Sequence, residues 1–142
     1  MKKFLTILTC VFATAGLSVA AEAEFPDISI NELNKAIEAK EVAVIDVMGT
    51  NSYKAGHIPT AIDYASKKKE LAKALPEDKD TLIVAYCGGP ACSAYKQAAV
   101  AAKELGYKNI KHLSAGISGW KEADMPTETG TKEDKEEKKA DS

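Results

Sequence analysis

Thr81-Leu82-Ile83-Val84-Ala85-Tyr86-Cys87-Gly88-Gly89-Pro90-Ala91-Cys92-Ser93 is the stretch that decides the architecture. Its first six residues form a short apolar run, the pattern of a strand buried on both faces of a parallel sheet. The run leads straight into Cys87, and a glycine- and proline-containing turn follows. From Ser93 to Leu105 the chain is alanine-rich and free of Gly and Pro, then stops at Gly106, which predicts a helix with Ser93 as its N-cap. A thiol therefore stands between the end of a strand and the start of a helix. In α/β folds ligand sites lie at that end of the sheet.

The neighbouring segments repeat the alternation. Ser29-Ile30-Asn31-Glu32 fits a capping box and opens a helix through about Ala39, with Leu33 and Ile37 inward. Val42 to Val47 is a second apolar strand, ended by Gly49-Thr50-Asn51. Ala61 to Ala65 suggests a shorter strand, and Lys67 to Leu75 a surface helix stopped before Pro76. Asn109 to Leu113 is a further strand candidate, and Ile117 to Ala123 a last helix around Trp120. Strands alternating with helices indicate an α/β fold with a mainly parallel sheet.

The loop itself carries the chemistry. The following helix directs its free amides and positive dipole end toward Cys87, which favours thiolate over thiol. Gly88 and Gly89 let the backbone curl so that several amides face one sulfur atom, and Pro90 stiffens the turn while removing one donor. Cys87 is thus the candidate catalytic residue, with Gly88, Gly89, Pro90, Ala91, Cys92 and Ser93 as the substrate-binding loop. The competing reading makes Cys87 a small core residue at a strand end; the double glycine, proline and helix start behind it favour chemistry.

The ends of the chain read differently. Met1-Lys2-Lys3 precedes an uncharged run from Phe4 to Ala21, and Ala21-Glu22-Ala23 satisfies the small-x-small rule for cleavage. Residues 1–23 are therefore expected to be a removable signal peptide, residues 24–126 the folded domain, and residues 127–142 a disordered tail. Ten of the last sixteen residues are charged and Ala140 is their only aliphatic one, too little apolar surface to offset ordering entropy. The expected location is exported, periplasmic or secreted, with no stable membrane insertion once the signal is gone.

Removing Lys2, Lys3 and Glu22 leaves 17 lysines against 20 acidic residues, a net charge of −3. That balance argues against a nucleic-acid partner, which would require a basic stripe. Cleavage also removes Cys10, leaving Cys87 and Cys92 as the two thiols. The chain contains no arginine.

Five short elements occur in order: Ile45-Asp46-Val47, Gly56-His57-Ile58-Pro59-x-Ala61, Tyr86-Cys87 with its loop, Leu105-Gly106-Tyr107, and Gly116-Ile117-Ser118-Gly119-Trp120. Together they resemble the rhodanese homology domain, over essentially everything from Ser29 to Pro126. The resemblance implies a five-stranded parallel sheet flanked by helices and a sulfurtransferase. Its catalytic cysteine, here Cys87, would take a sulfane sulfur as a persulfide and pass it to a thiol or other nucleophilic acceptor. The implied partners are a small sulfur donor and a thiol acceptor, with no cofactor and no metal.

This chain departs from the pattern in two places. Met48 stands where rhodaneses usually have arginine after Asp-Val, and Cys92 holds a loop position that is often arginine. A guanidinium grips sulfonate oxygens bidentately, whereas a lysine is only a point charge. Thiosulfate is therefore expected to be a poor donor, with Lys96 as the nearest cation, facing solvent.

Cys-x4-Cys matches neither a thioredoxin dithiol nor a paired-cysteine zinc site. Three roles for Cys92 stay open: a thiol that attacks a Cys87 persulfide, half of a protective disulfide, or an inert small residue. Two other functions compete with sulfur transfer, namely thiol–disulfide exchange through Cys87 and Cys92, and a non-catalytic rhodanese-like binding module. A Cys-x5-Arg phosphatase is excluded because position 93 is serine. His57 reads as a loop-ordering residue, His112 as structural or solvent-facing, and Trp120 as a core plug. Asp46, ending a strand near the loop, reads as a cap for backbone amides or a residue touching the site, with no catalytic role assigned.

Overall fold

The computed structural model describes residues 24–130. The expected signal peptide and most of the charged tail lie outside the described residues. The chain runs α1 (Ile30–Glu38), β1 (Val42–Asp46), α2 (Thr50–Ala55), β2 (Ile62–Asp63), α3 (Tyr64–Lys67), a 3-10 turn (Lys68–Glu70) and α4 (Leu71–Ala74). It continues with β3 (Leu82–Tyr86), α5 (Tyr95–Glu104), β4 (Ile110–Leu113) and α6 (Gly116–Glu122). The strands form one parallel sheet in the order β2-β1-β3-β4.

Strand alternation sorts the core into two layers. Ala43, Ile45, Ile83 and Ala85 pack against Ala98, Ala99 and Ala102 of α5, with Leu71, Leu75 and Tyr107 alongside. The three α5 alanines are wholly buried, so the helix backbone lies close to the sheet. On the other face Val44, Val84, Tyr86 and Leu113 meet Leu33 of α1, Tyr53 of α2, and Trp120 of α6. Trp120 is fully buried, and its Nε1 donates to the Pro126 carbonyl at 2.7 Å. It acts as the expected plug, an apolar body with a satisfied polar tip.

The capping box at α1 forms as read: the Glu32 amide donates to Ser29 Oγ at 3.2 Å, and the Ser29 amide donates to Glu32 Oε2 at 3.0 Å. Other elements differ from expectation. The sheet has four strands rather than five. Residues 26–28 run parallel beside β4 but make a single bridge, with the Ile28 amide on the His112 carbonyl and the His112 amide on that of Pro26. Pro26 has no amide to extend the ladder, and Ser29 already caps α1.

The strand expected over Ala61–Ala65 shortens to Ile62–Asp63 because Asp63 caps a helix there, accepting from the Ala65 amide at 3.0 Å. The surface helix expected over Lys67–Leu75 is broken by the 3-10 turn. Lys67-Lys68-Lys69 offers no apolar stripe, and only Leu71 and Leu75 are held by burial. Helix α2 was not legible in sequence: its six residues bury only Tyr53 and carry no side-chain cap. The folded domain also passes the expected boundary at Pro126. Glu128 pairs antiparallel with His57, and the Gly130 amide donates to the Lys54 carbonyl.

Candidate active site

Cys87 follows the last residue of β3 and is 5% exposed. By strand alternation it lies on the α5 face with Ala85. The loop is fixed from below by the start of α6: the Ile117 amide donates to the Cys87 carbonyl at 2.9 Å, and the Ser118 amide to the Gly88 carbonyl at 3.0 Å. This contact is possible because position 116 is glycine. Gly116 has φ +61°, and a Cβ there would stand 2.5 Å from the Gly89 nitrogen and 2.6 Å from the Cys87 carbonyl oxygen. Gly89 is similarly close-packed, with Ser118 Oγ 2.8 Å from where its Cβ would stand.

The Cys92 amide donates to the Gly89 carbonyl at 3.0 Å, closing a turn that brings position 92 back toward position 87. The Cα atoms of Cys87 and Cys92 are 6.1 Å apart and the two residues form a disulfide. Helix α5 starts later than expected. Ala94, already helical at φ −62° and ψ −24°, is its N-cap, and no side chain caps it. Ser93 contributes its backbone instead, its carbonyl accepting from the Lys96 amide at 3.1 Å, so the expected Ser93 cap is corrected.

A cleft of about 210 Å³ opens over the two sulfurs. Gly89, Pro90, Ala91 and Ser93 line it together with Tyr95 and Lys96 of α5, His112 and Leu113 of β4, and Ser114. Lys96 is solvent-exposed, as read from sequence, and also borders this cleft. Of the residues assigned to the loop, all but Gly88 line the cleft; Gly88 lies beneath Met48, whose Sδ and Cε are 3.5 Å from the position of a Gly88 Cβ. An exposed thioether thus covers the loop at the position where arginine was expected.

His112 does more than the sequence suggested. Its Nδ1 lies 2.8 Å from the Phe25 carbonyl, its ring stacks on Tyr95 at 4.2 Å, and it forms part of the cleft wall. Sequence reasoning missed Tyr95, His112, Ser114 and the clamp by Gly116. The GISGW motif was the signal for the last, but nothing local shows that its first amides hold the cysteine loop.

His57 is away from the cleft lining and orders its own loop. It is buried, with Nδ1 2.7 Å from the Tyr53 carbonyl and its ring stacked on Tyr53 at 3.7 Å. Asp46 caps the Met48 amide at 2.7 Å and accepts a short hydrogen bond from the Tyr86 hydroxyl. Tyr86 in turn accepts from the Ile58 amide at 3.1 Å. Burial pushes the Asp46 carboxyl above its ordinary range, against the opposing pull of the bonds from Tyr86 and Met48. Burial and the facing carboxylate also push the Tyr86 phenol up, keeping it a donor. The network braces the ends of β1 and β3 beneath the loop; Asp46, 1% exposed, is structural.

Residues 29–123 match the family model described as the rhodanese-like domain. The chain belongs to the rhodanese-like domain family. Among relatives, the thiosulfate sulfurtransferase GlpE of Shewanella oneidensis is 30% identical over 102 residues, covering 70% of this chain and 95% of that one. The HTH-type transcriptional regulator Rv0324 of Mycobacterium tuberculosis is 39% identical over 102 residues, again 70% of this chain but only 43% of the regulator. Among solved structures, the BH2092 protein of Bacillus halodurans has a TM-score of 0.58 at 29% identity, covering 73% of this chain and 77% of that one. The 3-mercaptopyruvate sulfotransferase SseA of Escherichia coli, at 21% identity and TM-score 0.61, shares the fold over 75% of this chain and 51% of its own. Relatives of this rhodanese-like domain therefore include proteins named as sulfurtransferases and one named as a transcriptional regulator.

Among the described residues no cluster of three or more His, Cys, Asp and Glu side chains could hold a metal ion. No described helix is long and apolar enough to cross a membrane.

Proposed function

We propose that the protein is a sulfurtransferase that carries a sulfane sulfur as a persulfide on Cys87 and delivers it to a small thiol or another nucleophilic acceptor. The observation that carries this reading is the placement of Cys87. It stands at the carboxyl end of a central strand, in a clamped loop and at a cleft sized for a small donor. The relatives named as sulfurtransferases support the same reaction class.

The disulfide favours a second reading at the same site, thiol–disulfide exchange through Cys87 and Cys92. Intact-mass measurement separates the two. Fully reduced Cys92→Ser given glutathione persulfide should gain about 32 Da, one sulfur on a reactive thiolate. A Cys92→Ser variant that shows no sulfur-loaded species at any time, while wild type loses about 2 Da, would leave only the redox reading.

The same assay tests donor choice. Among the described residues Lys96 is the lysine that lines the cleft, and Met48 covers Gly88 with a neutral thioether. Thiosulfate, whose sulfonate needs bidentate donors, should load the protein at least about tenfold more slowly than the persulfide. Equal loading rates would show that amides and Lys96 suffice.

We also propose export, with the chain cut after Ala20 or Ala23, on the pattern of residues 1–23. N-terminal sequencing of protein from an exporting host should find a start at Ala21 or Glu24. Recovery of an intact Met1 terminus in the membrane fraction would overturn it.

A further inference from the structure

Three features converge on Cys92. The loop is held at both cysteines by backbone bonds: α6 amides fix Cys87 and Gly88, and the Cys92 amide closes the turn onto Gly89. The Cα separation of 6.1 Å lies inside disulfide range. The two residues also differ in exposure, since Cys87 is buried while Cys92 is half-exposed at the cleft.

We propose that Cys92 is a resolving thiol, giving the protein a second activity: reductive release of sulfide from the Cys87 persulfide, with reset by an external dithiol. The inference rests on the Cys87 persulfide proposed above. In the first step the Cys92 thiolate attacks the inner sulfur of the Cys87 persulfide. The Cys87–Cys92 bond forms, the inner–outer sulfur bond breaks, and the outer sulfur leaves as hydrosulfide with its proton and the bonding electron pair. The sulfane sulfur is reduced and the two cysteine sulfurs end as the disulfide.

In the second step a dithiol attacks the accessible Cys92 sulfur and the Cys87 thiolate leaves. The dithiol's second thiolate then attacks the mixed disulfide and frees the Cys92 thiolate. The dithiol ends as a cyclic disulfide, and its two protons go to solvent or to the released thiolates. Attack at Cys92 follows from its greater exposure, and Cys87 is then the leaving thiolate. The partner is thus a low-molecular-weight or protein dithiol, and the disulfide is the resting state between turnovers.

The test uses the full-length protein, reduced, freed of reductant and given one equivalent of glutathione persulfide without oxygen. Sulfide and intact mass are followed together, and rates are compared per loaded chain. Wild type should release close to one equivalent of sulfide as a species about 2 Da lighter than reduced protein accumulates, then stop until dithiothreitol is added. Cys92→Ser and Cys92→Ala should hold the species heavier by about 32 Da at least about tenfold longer and lose the sulfide burst. Equal persulfide lifetimes in wild type and both variants, with wild type staying at the loaded mass, would overturn the resolving role and leave sulfur transfer standing. Failure of reduced Cys92→Ser and Cys92→Ala to gain sulfur at all would overturn both.

Discussion

Replacement of Cys87 by serine is expected to abolish sulfur loading, because the reaction needs a thiolate at the end of β3, in the loop that the α6 amides clamp. The variant should keep its fold: Cys87 and serine are close in volume, and the clamp bonds from Ile117 and Ser118 go to backbone carbonyls that the substitution leaves in place. Intact mass after exposure to glutathione persulfide should show no species heavier by about 32 Da. Unchanged thermal unfolding of the reduced proteins would show that the loss is chemical. Loading that survives in Cys87→Ser would move the chemistry to Cys92 and remove the basis for both functional proposals.

Gly116→Ala should damage the site from a distance in sequence, and Gly106→Ala is its control. Both glycines have positive φ, +61° and +93°, so both substitutions incur the left-handed strain of about 1–2 kcal/mol. They differ in surroundings. A Cβ at Gly106, just past the end of α5, meets nothing within 4 Å. At Gly116 it meets the Gly89 nitrogen, the Cys87 oxygen and the Gly88 carbonyl carbon, all backbone atoms inside 2.7 Å.

None of these is the end of a flexible side chain, so α6 must move off the loop and both clamp bonds lengthen. Overpacking of this kind adds roughly 1–3 kcal/mol, for a total of about 2–5 kcal/mol. In a domain of this size that corresponds to a fall of roughly 10–25 °C in Tm, against roughly 5–10 °C for Gly106→Ala. Loading per folded chain should fall in Gly116→Ala and hold in Gly106→Ala. Equal melting and equal loading in the two variants would show that the α6 contact does not shape the loop.

The fold class was legible because buried strands announce themselves locally. Val42–Asp46 and Leu82–Tyr86 are continuous apolar runs, and both became central strands. Leu33, Trp120 and the Ser29–Glu32 capping box likewise follow from periodicity and short-range hydrogen bonding. Elements with weak local signals were misread. Helix α2 has one buried side chain, and the lysine-rich segment from Lys67 divides at a 3-10 turn; the fifth strand that the resemblance implied is absent from the four-stranded sheet.

Sequence alone therefore singled out Cys87 as the candidate reactive residue, since a cysteine leaving a buried strand into Gly-Gly-Pro and a helix is a local pattern. It also limited the cations available to the site, because composition shows that there is no arginine. Tertiary structure alone decided what surrounds that cysteine. His112 and Ser114 reach the cleft through the β3–β4 register, Tyr86 beside Leu113, and Gly116 reaches the loop because β4 delivers α6 beneath it. The same holds for Cys92: its spacing from Cys87 permitted several roles, and the turn closed by Gly89 on a loop clamped by α6 brought the two Cα atoms to 6.1 Å. Contacts of this kind depend on strand order and crossover paths, which no short window of sequence encodes.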